Sequence, residues 1–338
     1  MDSINPNFKA RAKKPIPKAA ELMEGILKGD RASLSQALTL CESSLNSHRA
    51  EAEKLLQLAM PHSGRSMRIG ITGVPGVGKS TFIEAFGEHL IKEGHKVAVL
   101  AIDPSSAKTR GSILGDKTRM EILTQNEKAF IRPSPSSGSL GGVARRTRES
   151  ILLCEAAGYD RILVETVGVG QSETSVKGMV DFFMLLMLAT AGDELQGIKR
   201  GIMEMADLVF INKADDPKDP QVRAAMSDYK RALHLFPASK NEWIPRVMQG
   251  SALNHLGLAE VTEAINSFEN EQKLKGYFEP NRQEQALQWF EESLGELILE
   301  AAQQRENFQK EYLQMRQKIE KGELEAGIAA RKIVSQLF

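Results

Sequence analysis

Residues 73–80 read Gly73-Val74-Pro75-Gly76-Val77-Gly78-Lys79-Ser80, which matches GxxxxGK[ST] at every fixed position. An apolar run, Ile69-Gly70-Ile71-Thr72, leads into it, and Thr81 opens the helical segment TFIEAFGEHLIKEG after it. A strand before and a helix after are the context that makes this pattern a phosphate-binding loop. Its glycines let successive backbone N–H groups turn inward around a phosphate. The lysine then reaches the β- and γ-phosphates, and the serine hydroxyl ligates Mg²⁺ at the helix N-terminus. On this reading Gly73 to Thr81 bind nucleotide, Lys79 also serves catalysis, and Ser80 is a metal ligand.

Outward from this loop the chain alternates short β-like runs with helical segments. The runs are MRIGITG at Met67, KVAVLAID at Lys96, AFIRP at Ala129, RILVET at Arg161, FFMLLMLA at Phe182, LVFINK at Leu208 and IPRVMQGSA at Ile244. Such alternation predicts an α/β fold, a mainly parallel sheet with helices on both faces. Before it, residues 19–59 carry Leu34, Leu38, Leu45, Leu55 and Leu58 at helical spacing, with a break at Gly29-Asp30. After Pro280, Leu287, Phe290, Leu294, Leu297 and Ala301 recur every three or four residues, followed by Phe308, Tyr312, Met315 and Ile319. These stripes suit either a helix laid on the parent domain or an arm that buries them against a second subunit, and the length of the segment favours the arm and a homodimer. The expected organisation is a helical extension over 1–62, a P-loop domain over 63–275 and a helical dimerisation arm over 276–338.

A phosphate loop does not choose between adenine and guanine. Asn212-Lys213-Ala214-Asp215 follows the strand LVFI, where an open α/β sheet presents its ligand-facing strand ends. Asp215 is placed to accept from guanine N1–H and the 2-amino group, a pair of donors that adenine lacks on that edge, while Lys213 stacks its stem over the ring. Ser251, Ala252 and Leu253, at the end of the next strand, are positioned to offer the guanine carbonyl a backbone N–H. Together these elements imply Mg²⁺-dependent hydrolysis of GTP to GDP and phosphate. Between them lie Asp103, which ends KVAVLAI, Asp116 in GSILGDKTRM, and Glu165, which opens ETVGVGQSE. Each can hold Mg²⁺, directly or through water, or orient the attacking water; a carboxylate at a strand end can also simply cap a turn.

Composition narrows the partners. Lys plus Arg and Asp plus Glu both number 44 in 338 residues, so no basic excess points to nucleic acid or an anionic membrane. The most apolar stretch, 180–191, is far shorter than the ~20 residues that span a bilayer and reads as a buried strand. Cys41 and Cys154 have no CxxC or Cys/His metal spacing, which suits a reducing compartment. The N-terminus is basic without an apolar core, so a cytoplasmic location is expected.

With these residues in hand, the sequence resembles the MeaB/ArgK-type GTPases, chaperones of adenosylcobalamin-dependent methylmalonyl-CoA mutase. The likeness runs over roughly residues 15–335 and rests on the phosphate loop, the DPSS turn at Asp103, GSILGDKTRM at Gly111, ETVGVGQSE at Glu165, GDELQGIKRGIMEMAD at Gly192, NKAD and the C-terminal helices. It implies a Rossmann-like GTPase core, a dimerising C-terminal arm, and a mutase (or a related acyl-CoA mutase) whose cofactor loading, protection and reactivation are coupled to GTP. It also implies that the Gly111 and Glu165 loops are switches I and II. Asp193, Glu194, Gln196, Lys199 and Arg200 would then form a third switch toward the partner. Where small GTPases carry DxxG, this chain has Glu165-Thr166-Val167-Gly168. Other readings are a nickel or zinc metallochaperone GTPase, although the histidines are scattered, a nucleotide-gated scaffold, and a kinase linked to basic-amino-acid transport.

Overall fold

The computed structural model describes residues 16–43, 45–102, 120–134, 140–166, 172–189, 200–237, 239–305 and 307–337. The chain divides into two compact units, Met1–Glu279 and Pro280–Phe338.

The first unit opens with helices α1 (Ala19–Leu27), α2 (Arg31–Cys41) and α3 (Asn46–Ala59), which pack on one another. The expected break falls at Gly29-Asp30, where the Asp30 carboxylate accepts from the N–H groups of Ala32 and Ser33 and so caps α2. A second break, which no glycine or proline marks, lies between α2 and α3. Leu45 and Leu58 share helical spacing with Leu34, Leu38 and Leu55 but are exposed, whereas the other three are buried. The apolar stripe therefore does not continue through them.

The sheet follows: β1 (Met67–Gly73), β2 (Val97–Ile102), β3 (Ala129–Ser134), β4 (Arg161–Thr166), β5 (Phe182–Leu188), β6 (Leu208–Asn212) and β7 (Arg246–Gln249). Its order is β3-β2-β4-β1-β5-β6-β7, and every pairing is parallel. Consecutive residues of β5, Phe182 to Met187, are all fully buried, as strands covered on both faces require. The helices between strands are α4 (Lys79–Lys92), α5 (Glu121–Gln125), α6 (Leu140–Ala156), α7 (Ser172–Lys177), α8 (Arg200–Met205), α9 (Pro220–Leu233) and α10 (Leu258–Leu274). α4 packs on β1, β2 and α10, while α6 packs on β2, β3 and the N-terminal helices. Phe82 and Phe86 of α4 stack at 5.5 Å between ring centroids, and Phe82 meets Phe210 of β6 at 5.0 Å. Both cysteines are buried and free, and burial pushes the Cys41 thiol up to about 12.

A buried ion pair ties β1 to α6. Arg68 donates from Nε and Nη2 to Glu155 at 2.9 and 3.0 Å, and the same carboxylate accepts from Ser66 Oγ at 2.6 Å and Gly64 N–H at 2.7 Å. Burial opposes its charge, but Arg68 and these donors together hold its pKa below the ordinary 4.5. A depressed carboxylate stabilises the fold above the unfolded-state value and loses that contribution as pH falls through the folded one. Glu155→Gln keeps the shape but removes the charge opposite Arg68, so a loss of about 2 kcal/mol is expected at pH 7. The difference from wild type should shrink below pH ~4, which urea unfolding at both pH values measures.

In the second unit, α11 (Phe278–Gln303) continues from the first, with Pro280 in its first turn where no intrahelical N–H is lost. It is followed by α12 (Phe308–Glu320) and α13 (Ala326–Leu337), which pack together. Phe308 and Ala329 are buried, whereas Leu287, Phe290 and Leu294 of the predicted stripe are 65, 63 and 46% exposed.

Candidate nucleotide site

Because the sheet is wholly parallel, the loops after β1, β4, β6 and β7 leave from the same edge. The chain order reverses around β1, the position where open α/β sheets bind ligands. The loop after β1 is Gly73 to Gly78. Gly78 has φ +91° as it enters α4, a left-handed conformation that side chains disfavour. At Gly73 a Cβ would stand 2.6 Å from the carbonyl oxygen of Leu186 in β5, so a side chain there would push the two strands apart. Val74 and Val77 are buried, Pro75 and Gly76 are exposed, and Thr81 is exposed in the first turn of α4.

Lys79 donates through Nζ to the Gly73 carbonyl at 3.0 Å, folding the side chain back over the loop. Burial lowers its pKa, and the charges of Glu165 and Glu173 oppose that shift. Ser80 Oγ donates to Glu165 Oε1 at 3.4 Å. Glu165 reaches this point because β4 lies beside β1, with Ile71 in register with Glu165 and Thr166 Oγ1 donating to Thr72 Oγ1 at 2.8 Å. A hydroxyl and a carboxylate side by side at the head of α4 are hard oxygen donors of the kind Mg²⁺ takes, and a nucleotide-bound Mg²⁺ draws its other ligands from phosphate and water. Ser80 and Glu165 therefore fit that ion.

At the β6 end, Asn212 is buried and joins three segments. Its Nδ2 donates to the Val77 carbonyl at 2.8 Å, and its Oδ1 accepts from Ala252 N–H at 3.1 Å. Lys213, at φ +60°, donates to the Gly76 carbonyl at 2.9 Å, which lays its stem from the NKAD run toward the phosphate loop. Asp215 is exposed and accepts at Oδ1 from Ser251 Oγ at 2.5 Å. Leu253, next to Ala252, is 76% exposed. The N–H of Ala252, one of the expected guanine donors, is thus committed to Asn212 in this arrangement.

The family model for the methylmalonyl-CoA mutase-associated GTPase MeaB matches residues 34–307. The chain belongs to the MeaB family. Among MeaB-like relatives, it is 50% identical over 295 residues to GTPase ArgK of Escherichia coli (strain K12), covering 87% of this chain and 89% of that protein. It is 44% identical over 319 residues to the mitochondrial methylmalonic aciduria type A homolog of Mus musculus, covering 91% and 77%. A solved structure titled LAO/AO transport system kinase superposes with a TM-score of 0.75 at 41% identity, covering 94% of this chain and 97% of that one. This MeaB-family chain is a GTPase, and no helix among its described residues is long and apolar enough to cross a membrane.

Several sequence-predicted positions of this MeaB-family GTPase lie outside the described residues: Asp103, Asp116, Asp193, Glu194, Gln196 and Lys199. Of the expected third switch, Arg200 is described; it opens α8 and its guanidinium lies 5.6 Å from the centre of the Phe236 ring, just past α9. Two residues near the site went unread in the sequence. Glu173, at the start of α7, is 1% exposed and acts electrostatically on Lys79. Its only sequence signal is its place in the ETVGVGQSE run. Asn254 donates from Nδ2 to Asp215 Oδ1 at 2.9 Å, and it lies three residues past Ser251 with no motif to mark it.

Proposed function

We propose that this GTPase couples Mg²⁺-dependent hydrolysis of GTP to the chaperoning of an adenosylcobalamin-dependent methylmalonyl-CoA mutase or a related acyl-CoA mutase. The observation that carries the reading is the convergence of Lys79, Ser80 and Glu165 at one end of α4, with Asn212 tying NKAD to the same loop. In this reading the backbone of 73–81 and the Lys79 ammonium hold the β- and γ-phosphates, and Asp215 and Lys213 hold guanine. Ser80 and Glu165 hold Mg²⁺ together with Asp103 and Asp116, and one of these carboxylates orients the attacking water. Mg²⁺, when bound, supplies charge neutralisation along the phosphate chain. The protein contributes position: Lys79 is held close to where negative charge develops, a preorganised arrangement that needs no reorientation during the reaction.

The family description supports the mutase as partner. The exposed stripe of Leu287, Phe290 and Leu294 supports a homodimer, since apolar side chains at helical spacing gain most by covering one another. The cytoplasm is the location in which we place it. Purification of the tagged chain with GTP and Mg²⁺ is expected to bring down a CoA-mutase subunit, with a dimeric mass by light scattering, and the added mutase should accelerate hydrolysis. Absence of the mutase together with unaltered turnover would remove the chaperone reading. Transfer of the γ-phosphate to a protein rather than to water would return it to the kinase named for the solved relative.

A further inference from the structure

Asp215 is held from two sides. Its Oδ1 accepts from Ser251 Oγ at 2.5 Å and from Asn254 Nδ2 at 2.9 Å, and the Ser251 hydroxyl in turn accepts from the Asn254 N–H at 3.2 Å. The three residues close a ring of hydrogen bonds. The loop that carries two of them is itself pinned: Ser251 and Leu256 exchange backbone bonds at 3.1 and 2.9 Å, and His255 sits at φ +55° to make the turn. Ser251 is buried, whereas Asn254 and Asp215 are exposed.

We propose that Asn254 is a positioning residue for base selection, orienting the Asp215 carboxylate for guanine. The inference rests on the reading of Asp215 as the base-recognition carboxylate. An exposed aspartate turns about two side-chain torsions, and a single hydrogen bond from Ser251 leaves the carboxylate free to rotate about that contact. A second donor on the same oxygen, arriving from Asn254, restrains the rotation of the carboxylate. Guanine presents two donors side by side, so a carboxylate already restrained binds it without losing that freedom on binding. Because a carboxylate can only accept, the amide of Asn254 must present its NH₂ to Asp215, which fixes the orientation of the asparagine as well.

The test is steady-state hydrolysis by the full chain with GTP and with ATP. Asn254→Ala is expected to raise KM for GTP roughly five- to tenfold, the effect falling on KM and not kcat, while KM for ATP stays unchanged, so that selectivity drops by the same factor. Asn254→Asp sets a like charge against Asp215 and should lose more, on the order of tenfold to a hundredfold. In an Asp215→Ala background, Asn254→Ala should change nothing further, because the group it positions is gone. The side chain is exposed and Ser251 still pairs with Asp215, so the variant is expected to melt with wild type. An unchanged KM for GTP, an equal rise for GTP and ATP, or the same loss in the Asp215→Ala background would overturn the proposal. The base reading has its own test: if Asp215→Asn gains xanthosine nucleotide while Asn254→Ala is silent, only the positioning role fails; if Asp215→Asn gains none, the base reading fails.

Discussion

Lys79→Ala is expected to lower kcat/KM for GTP by at least about 10³-fold, roughly 4 kcal/mol of transition-state stabilisation. The lysine stands at the first position of α4 with its ammonium drawn back over the phosphate loop to the Gly73 carbonyl. Burial lowers its pKa, and the charges of Glu165 and Glu173 oppose that shift; in the proposed reading this side chain faces the transferring phosphoryl group. A group so placed acts more strongly in the transition state than in the ground state, which is why the loss should appear in kcat as well as in nucleotide affinity. Alanine is the best helix former, so α4 should keep its start and the variant its melting temperature. Single-turnover hydrolysis separates the two contributions, and a rate equal to wild type would sink the role of Lys79.

The second large effect is a change of base. Asp215→Asn should weaken GTP on the order of 10²–10³-fold, roughly 3–4 kcal/mol, because the two guanine donors then face a group that supplies one acceptor and a competing donor. Xanthosine triphosphate should gain in compensation. The fold makes this swap orderly: Ser251 and Asn254 both donate toward the Oδ1 position, so the oxygen of an asparagine there stays with them and its NH₂ turns outward. That NH₂ can donate to the 2-oxo group of xanthine, where the carboxylate could only repel it. Competition binding with GTP, ATP and xanthosine triphosphate reads the outcome, and a wild type that prefers ATP would end the guanine reading at once.

Much of the architecture was legible because it is written locally. The phosphate loop is a contiguous run whose glycines, lysine and serine have their roles set by backbone geometry, and NKAD is recognisable by its place after a strand. The strands read as short apolar runs, since a sheet covered on both faces asks each strand to be apolar throughout, as Phe182 to Met187 are. The helical stripe at Leu287, Phe290 and Leu294 was equally plain, because 3.6-residue periodicity survives whether or not the stripe is covered. Periodicity does not mark the break between α2 and α3, where Leu45 and Leu58 match the spacing but do not join the buried face.

What the sequence by itself determined, then, is the phosphate-loop pattern, the placement of NKAD after a strand, the family likeness and the alternation that makes a parallel sheet. Only the tertiary structure decided which distant residues meet them. Strand order is a matter of non-local pairing, and the placement of β4 between β2 and β1 brings Glu165 to Ser80 across 85 positions of chain. The same ordering puts β7 beside β6, so that Ser251 and Asn254 close on Asp215. Neither juxtaposition has a local signature. A side chain's chemistry is carried by its own residue, but its partner is chosen by the hydrogen-bond ladder and the packing of the whole sheet, which no window along the chain contains.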